Sequence, residues 1–317
     1  MSAHGEFDII REFFTRPGHD DSVVLGIGDD AALLAVPPGE VLVLTTDTLV
    51  AGRHFPDDAA AYDIGWKSLA VNLSDLAAMG ATARWVTLAI TLPDNDEPFL
   101  RDFARGFFAL AEQAQVSLVG GDTTRGPLSI TITAMGTVPA PQALRRDGAR
   151  AGDDLYVSGT LGDAGLGLRL ALDQWLDEIA PQDSTHVLAR LHRPQPRLAL
   201  GLALRGLASA CMDVSDGLAQ DLGHLLRASQ AGAELELDAL PLSPALRGID
   251  PAFAAILALT SGDDYELLFT APASARAAIA GLPDTCTRIG RITGTGALVF
   301  LRNDQPVDMP VAGYNHF

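Results

Sequence analysis

The sequence contains only two cysteines, Cys211 and Cys286, among its 317 residues. They lie far apart and form no C-x-x-C pair, so neither a zinc site nor a disulfide framework is indicated, and both are interpreted as small core residues. The sequence also lacks an apolar stretch long enough for a membrane helix, and its first residues do not combine a basic region with an apolar one. These absences predict a cytoplasmic protein with no membrane partner.

Basic residues are scarce as well. The chain has 22 Lys and Arg against 40 Asp and Glu, which gives a formal net charge of -18. No basic patch is large enough to neutralise a run of phosphates on DNA or RNA. The composition therefore argues against a nucleic-acid partner.

The sequence also lacks the motifs by which many phosphoryl-transfer enzymes and hydrolases are recognised. There is no G-x-x-x-x-G-K-[ST] loop, no kinase-type catalytic loop and no G-x-S-x-G elbow. The stretch Thr45-Thr46-Asp47 has no second aspartate of the kind found in aspartyl-phosphate phosphatases. Because no covalent nucleophile can be identified, direct transfer from a nucleotide to an acceptor fits best, and no catalytic residue is assigned.

Six short clusters place carboxylates beside glycines or hydroxyl groups. They lie at residues 26–30, 45–47, 72–75, 120–122, 213–217 and 262–264. Carboxylate and hydroxyl oxygens are ligands that Mg²⁺ prefers, and glycine allows close approach of the backbone to a polyphosphate. Each cluster taken alone also fits a helix cap, a plain turn or a solvated helix face. Together they predict a magnesium and nucleotide site, because carboxylates within about 4 Å would repel by roughly 4 kcal/mol unless cations lay between them.

Strand and helix patterns alternate along the chain, which predicts the α/β (α+β) class, and the length favours two domains. The segment 139–154 is rich in proline, glycine and charge and has little periodicity, as interdomain connections do. We place the boundary near residue 145, which gives domains 1–145 and 146–317. The local pattern further predicts that a strand ends before Asp47, that residues 120–122 form a turn, and that 289–293 and 297–301 form a hairpin.

The six clusters, in this order, resemble the thiamine-monophosphate kinase family. The resemblance covers essentially the whole chain, because it begins at Gly5-Glu6-Phe7 and extends to Gly313-Tyr314-Asn315-His316-Phe317. That family belongs to a superfamily with aminoimidazole ribonucleotide synthetase, selenophosphate synthetase and a hydrogenase-maturation protein. The resemblance implies the two-domain architecture of aminoimidazole ribonucleotide synthetase. The N-terminal domain would bind ATP and magnesium and form a homodimer through its sheet, and a C-terminal α/β domain would complete the substrate site.

The same resemblance implies a reaction. ATP, as co-substrate, would phosphorylate thiamine phosphate to thiamine diphosphate by in-line transfer with several Mg²⁺ ions, the last step of thiamine diphosphate biosynthesis. The implied magnesium ligands are Asp30, Thr45, Thr46, Asp47, Asp75, Asp122, Asp213 and Asp216. The implied ATP contacts are Gly121, Asp122, Arg146 and Ser215. The implied acceptor contacts are His54, Asp263 and Tyr314.

One position departs from the family pattern. Asp263 stands where glutamate is more often expected, and its side chain, shorter by one methylene, would reach the substrate through water. Solvation alone also accounts for Arg146 in a linker, a surface loop accounts for His54, and anchoring of the tail accounts for Tyr314.

Two other kinds of function stay open at this point. One is a synthetase of the same superfamily that activates an amide oxygen for ring closure; selenophosphate synthesis fits less well, because no reactive cysteine lies near the amino terminus. The other is a non-catalytic acidic module that binds Ca²⁺ or Mg²⁺. The EF-hand spacing is missing, and the acidic positions are scattered along the chain, which favours a site formed by folding.

Overall fold

The computed structural model describes residues 5–16, 21–175, 177–294, 296–309 and 313. The chain forms two compact units, the first comprising Met1–Leu76 and Ala81–Pro141 and the second Ala77–Gly80 and Gln142–Phe317. The division thus falls between residues 141 and 142, whereas the sequence pattern placed it near 145. Both units combine strands and helices, which confirms the predicted α/β (α+β) class.

The first unit is built around a mixed four-stranded sheet in the order β3-β6-β4-β5, in which only β4 and β5 run parallel. A short antiparallel pair, β1 and β2, lies outside this sheet. A π-helical turn, Ile10–Phe14, follows the first helix. The elements are α1 (Glu6–Ile9), β1 (Val23–Leu25), β2 (Leu33–Leu34), β3 (Glu40–Val50), α2 (Ala61–Ala78), β4 (Thr82–Leu92), α3 (Glu97–Ala114), β5 (Ser117–Arg125) and β6 (Ser129–Pro139).

Helices α2 and α3 pack so closely that glycine is required where they meet. A Cβ added at Gly65 would lie 2.1 Å from the carbonyl oxygen of Phe103, and one added at Gly106 would lie 1.8 Å from that of Tyr62. Helix α3 buries Phe103 and Phe107 on one face, as its helical spacing of apolar residues predicts. This contact fixes the position of α2, which carries part of the candidate site.

The second unit contains a seven-stranded sheet in the order β13-β12-β9-β11-β7-β10-β8. Two short 3₁₀ segments lie at Leu237–Ala239 and Ala273–Ala275, and a third, Ala140–Gln142, spans the boundary between the two units. The elements are β7 (Asp154–Ser158), α4 (Asp163–Ala171), α5 (Pro181–His192), α6 (Leu198–Ala203), β8 (Ala210–Asp213), α7 (Leu218–Ser229), β9 (Gly232–Glu236), α8 (Pro244–Arg247), α9 (Pro251–Thr260), β10 (Leu267–Ala271), α10 (Arg276–Ile279), β11 (Cys286–Thr293), β12 (Leu298–Arg302) and β13 (Gln305–Val307).

The predicted hairpin between 289–293 and 297–301 is wrong. Strand β9 lies between β11 and β12, pairing antiparallel with the first and parallel with the second. The two predicted partner strands are therefore separated by a strand that comes from about fifty residues earlier, which no local turn pattern can indicate. The hairpin that does form joins β12 to β13.

Both cysteines occupy the apolar interior of the second unit. Cys211 is buried, Cys286 is half-buried, and both are free thiols. Burial raises the pKa of each thiol, that of Cys286 to about 12, so neither is activated as a nucleophile. Among the helices of the described residues, none has the length and apolar character needed to cross a membrane.

Candidate functional site

Strand β3 and helix α2 bring three of the predicted metal ligands together. The Thr45 hydroxyl donates a hydrogen bond to Asp75 Oδ2 at 2.5 Å. Asp47 lies on the same face of β3 as Thr45, and its backbone N–H donates to Asn72 Oδ1 at 3.1 Å. The buried Asn72 in turn donates through Nδ2 to the Ser68 carbonyl at 3.1 Å, one turn earlier in α2. A fully buried amide therefore aligns the strand with the helix that carries Asp75.

The prediction that a strand ends before Asp47 is wrong. Strand β3 continues to Val50, and Asp47 pairs with Ile132 of β6 in the middle of the ladder. The two threonines and the aspartate have side chains that suit a sheet surface, so the pairing continues through them. Asp47 is therefore held by strand pairing on one side and by Asn72 on the other.

The electrostatics of this cluster favour a bound cation. Burial and, as the smaller cause, the nearby charge of Asp75 together raise the pKa of Asp47 to about 6. A divalent ion between the two carboxylates would remove the repulsion, and a hydroxyl with two carboxylates is a donor set that suits Mg²⁺. Thr45, Asp47 and Asp75 therefore fit a magnesium site.

Gly121 and Asp122 lie inside strand β5 and not in a turn, so that prediction is also wrong. Gly121 has φ 149°, and a Cβ added there would lie 1.8 Å from the carbonyl oxygen of Leu88 in β4. The glycine is thus required by the close approach of two backbones beside an irregularity in the β4–β5 pairing.

The sheet register separates Asp122 and Thr46 from Asp47. Asp122 pairs with Ala89 of β4, Ala89 pairs with Thr131 of β6, and the partner of Thr131 in β3 is Thr48. Since directly paired residues share a face, Asp122 lies on the face of Thr46 and Thr48, opposite that of Asp47. On that face the hydroxyls of Thr46 and Thr133 are 2.9 Å apart, and those of Thr48 and Thr131 are 2.8 Å apart.

Asp30 lies on an exposed turn, where its backbone N–H donates to Asp29 Oδ1 at 2.8 Å. Asp29 therefore stabilises the turn that presents Asp30. In the part of the chain that the structure describes, no group of three or more His, Cys, Asp or Glu side chains is close enough to hold a metal ion. The first unit thus brings together Thr45, Asp47 and Asp75 and leaves Asp30, Thr46 and Asp122 apart from them.

His54 lies in a tight turn directly after β3. Its Nδ1 accepts a hydrogen bond from the Val50 backbone N–H at 3.0 Å, and the turn is closed by a bond from Gly52 N–H to the Phe55 carbonyl at 3.0 Å. Because Nδ1 acts as an acceptor, the proton of the neutral ring is on Nε2. The backbone therefore fixes both the orientation and the tautomer of this ring.

In the second unit the clusters at 213–217 and 262–264 lie side by side. Asp213 ends β8, and the pairing with β10 continues beyond the strands. The Tyr265 backbone N–H donates to the Val214 carbonyl at 2.8 Å, and the Asp263 backbone N–H donates to the Ser215 carbonyl at 2.9 Å. The fold thus joins an implied ATP contact, Ser215, to an implied acceptor contact, Asp263.

The loop that carries Asp263 has a strained backbone. Asp263 has φ 68° and Tyr265 has φ 50°, values that non-glycine residues rarely adopt. The Tyr265 hydroxyl donates to Asp263 Oδ1 at 3.0 Å. Asp264, between them, is fully buried, and its Oδ2 accepts from the Gly162 N–H at 2.7 Å. Burial raises the pKa of Asp264 to about 8, although the Arg190 charge opposes the shift.

An ionic network that the sequence analysis missed supports this loop. Arg190 donates to the Asp264 carbonyl and to Glu266 Oε1, both at 2.9 Å. Arg197 forms a bidentate salt bridge with the same carboxylate, through hydrogen bonds of 2.6 and 2.7 Å. Glu266 is fully buried. Sequence spacing gave no sign of this network because Arg190 belongs to α5, a helix that the sequence analysis did not predict.

Arg146 and Asp216 share an electrostatic environment. The pKa of His224 is lowered, first by burial and then by the charges of Arg227 and Arg146, and the charge of Asp216 partly opposes this shift. The Arg146 carbonyl accepts from the Ser229 hydroxyl at 2.8 Å, which ties this residue to the end of α7. Tyr314, the remaining implied contact, lies outside the described residues.

The architecture and the acidic site together define the class of protein. Residues 28–138 match the family model for the N-terminal domain of AIR synthase related proteins, and residues 150–301 match the model for their C-terminal domain. These matches cover most of the chain, so the class is that of the AIR synthase related proteins, with one domain of each type.

More similar proteins define the family within that class. The chain is 47% identical to thiamine-monophosphate kinase of Escherichia coli (strain K12) over 324 aligned positions, covering 99% of each sequence. It is 52% identical to the crystal structure of thiamine-monophosphate kinase from Stenotrophomonas maltophilia K279a, with a TM-score of 0.84 over 88% of this chain and 91% of that one. AaThiL complexed with AMPPCP and TMP is 32% identical, with a TM-score of 0.78 over 92% of both chains. The chain belongs to the thiamine-monophosphate kinase family, as the sequence motifs predicted.

Proposed function

We propose that this protein is a kinase that transfers the terminal phosphoryl group of ATP directly to thiamine phosphate, giving thiamine diphosphate and ADP. The observation that carries the proposal is the half-buried pair of carboxylates, Asp47 and Asp75, beside the Thr45 hydroxyl. Its support is the relationship to thiamine-monophosphate kinases along the whole chain and to AaThiL, which was solved with AMPPCP and TMP.

Magnesium is proposed to bind at the acidic clusters. When bound, it would neutralise the triphosphate and the acceptor phosphate, which otherwise repel each other. In the first unit, Thr45, Asp47 and Asp75 form the cluster that fits such an ion. The other proposed ligands are Asp30, Thr46, Asp122, Asp213 and Asp216.

The chain's own groups would bind and orient the two substrates. The planar guanidinium of Arg146 can hold two phosphate oxygens, and Gly121, Asp122 and Ser215 are proposed as further ATP contacts. An acceptor phosphate oxygen is already ionised near neutral pH, so positioning and charge compensation suffice without a strong general base.

For the acceptor, His54, Asp263 and Tyr314 are the proposed contacts. His54 is held with its proton on Nε2, which suits donation to a phosphate oxygen. Asp263 is oriented by the Tyr265 hydroxyl, and its carboxylate suits a thiazolium cation.

We also propose that the first unit forms a homodimer through its sheet. Strand β3 is an edge strand of that sheet, and it exposes Leu42 and Leu44 to 47% and 59%. An exposed apolar edge is unfavourable in a monomer and suits pairing with a second copy. The protein is proposed to act in the cytoplasm, where ATP is available.

The test is a coupled assay of ADP release with chromatographic detection of thiamine diphosphate. With thiamine phosphate as acceptor, the protein should turn over in the presence of Mg²⁺ and should be inactive in EDTA. Free thiamine, the aminoimidazole precursor and selenide should give no ADP. His54→Ala should raise the KM for thiamine phosphate more than it lowers kcat. ADP release that does not depend on thiamine phosphate, or turnover with one of the rival acceptors instead, would overturn the proposal.

A further inference from the structure

Three consecutive backbone amides before helix α7 bind one carboxylate oxygen. The N–H groups of Ser215, Asp216 and Gly217 donate to Asp221 Oδ2 at 3.0, 3.0 and 3.2 Å. Asp221 belongs to α7 and is buried, with 2% of its surface exposed. Its side chain thus reaches back over the start of its own helix to the loop at 213–217.

The same peptide groups are bound on their other side by the loop that carries Asp263. In a peptide unit the carbonyl points away from the N–H, because the unit is planar and trans. The unit that donates through the Ser215 N–H accepts from Tyr265 through the Val214 carbonyl, and the unit that donates through the Asp216 N–H accepts from Asp263 through the Ser215 carbonyl. Two successive peptide units therefore link Asp221 to the Asp263 loop.

Successive N–H groups at a helix start form a concave site that attracts anions. Here Asp221 occupies that site from within the chain. The amides cannot then capture a phosphate group, and the loop keeps the peptide orientation on which the position of Asp263 depends.

We propose that Asp221 is a positioning residue, which fixes the loop of Asp213, Ser215 and Asp216 for the magnesium nucleotide and the loop of Asp263 for the acceptor. This inference rests on the proposed function. Asp221 itself would contact neither substrate.

The test compares two variants with a matched control. Asp221→Ala removes the acceptor oxygen, whereas Asp221→Asn keeps one oxygen for the three amides. The control is Asp250→Ala, since Asp250 also accepts from a backbone N–H at a helix start, that of Phe253 at 2.9 Å, but caps α9 and is exposed. Affinity for AMPPCP with Mg²⁺ is measured by calorimetry on each folded protein, and melting is measured with and without inorganic phosphate.

Asp221→Ala should weaken Mg²⁺-AMPPCP binding by about tenfold, the effect of losing about 1.4 kcal/mol. It should also acquire a rise in melting temperature with inorganic phosphate, which fills the vacated amides. Asp221→Asn should stay within about threefold of the original affinity. Asp250→Ala should melt earlier with unchanged nucleotide affinity and no response to phosphate, so a loss of stability alone cannot mimic the predicted result.

Normal affinity in folded Asp221→Ala, or an Asp221→Asn variant as weak as the alanine variant, would overturn the inference. If Asp221→Ala does not fold, Asp221→Glu moves the carboxylate by one methylene; weakened binding would then support the inference and normal binding would overturn it. Failure of the proposed function is distinguishable, because the unsubstituted protein itself would then bind no Mg²⁺-AMPPCP or would not phosphorylate thiamine phosphate.

Discussion

Replacing Asp47 by asparagine should stabilise the protein in the absence of metal while abolishing its turnover. The pKa of this carboxyl is raised from its ordinary 3.8 to about 6, first by burial and then by Asp75. Between these two pH values the folded protein keeps a proton that the unfolded chain has lost, so stability falls as the pH rises through this window. Above about pH 6 the unfolding free energy is lowered by the full cost of ionising Asp47 in the folded protein.

The size of the effect follows from the shift. About two pKa units correspond to about 3 kcal/mol of unfolding free energy, and this is an upper limit because the side chain retains some contact with solvent. Asparagine is nearly the same size and carries no charge, so Asp47→Asn should recover between about 1 and 3 kcal/mol at pH 7.5. The backbone bond from residue 47 to Asn72 does not depend on the side chain and should persist.

The assay is urea unfolding in EDTA at pH 5 and pH 7.5, repeated with Mg²⁺ and ATP. The original protein should lose stability between the two pH values more steeply than Asp47→Asn does, and only the original protein should be strongly stabilised by Mg²⁺-ATP. Asp102→Asn is the control, because Asp102 forms an exposed pair with Arg105, and it should change stability by less than about 1 kcal/mol. An asparagine variant that is less stable than the original in EDTA at pH 7.5 would refute this reasoning.

Three further substitutions test other parts of the molecule. Gly121→Ala should lower the unfolding free energy by more than about 2 kcal/mol because a Cβ would meet a carbonyl oxygen, while Gly120→Ala, whose Cβ finds nothing closer than 4.0 Å, should cost less than half as much; equal losses would contradict the close-approach explanation. Arg190→Met should cost about 3 to 5 kcal/mol by leaving a buried carboxylate with fewer partners, as measured by urea unfolding, and a loss below 1 kcal/mol would show that the network is dispensable. Leu44→Asp should give a monomer in light scattering, while Leu172→Asp, which changes another exposed leucine but in the second unit, should leave the mass unchanged; an unchanged mass for Leu44→Asp would remove β3 from the proposed interface.

The acidic clusters are visible in the sequence, but the structure around them was not predicted. Asp47 and the pair Gly121 and Asp122 were expected at a strand end and a turn, because aspartate and glycine are rare within strands. Both instead lie inside long strands. Pairing of β3 with β6 and of β5 with β4 outweighs these local preferences, and no local pattern contains that information.

The sequence analysis also did not predict which face of the sheet each site residue occupies. Side chains alternate along a strand, so Thr45 and Thr46 point to opposite faces although they are neighbours in sequence. The resemblance to a family placed both in one ligand set without distinguishing them. The structure separates them, since Thr45 binds Asp75 and Thr46 binds Thr133.

The acidic residues of this chain divide into two groups by what binds their oxygens. Asp29, Asp221 and Glu266 accept hydrogen bonds from backbone amides or guanidinium groups, which satisfies a carboxylate without any ligand. Burial raises the pKa of Asp221 as well, to about 7, but its backbone hydrogen bonds oppose that shift, whereas for Asp47 burial and the charge of Asp75 act in the same direction. Carboxylates of the first kind hold loops in place, and carboxylates of the second kind are stabilised only when a cation arrives. Sequence motifs cannot separate the groups, since Asp216 and Asp221 lie five residues apart on one loop and helix, and only the contacts identify Asp221 as the carboxylate held by the backbone amides of residues 215–217.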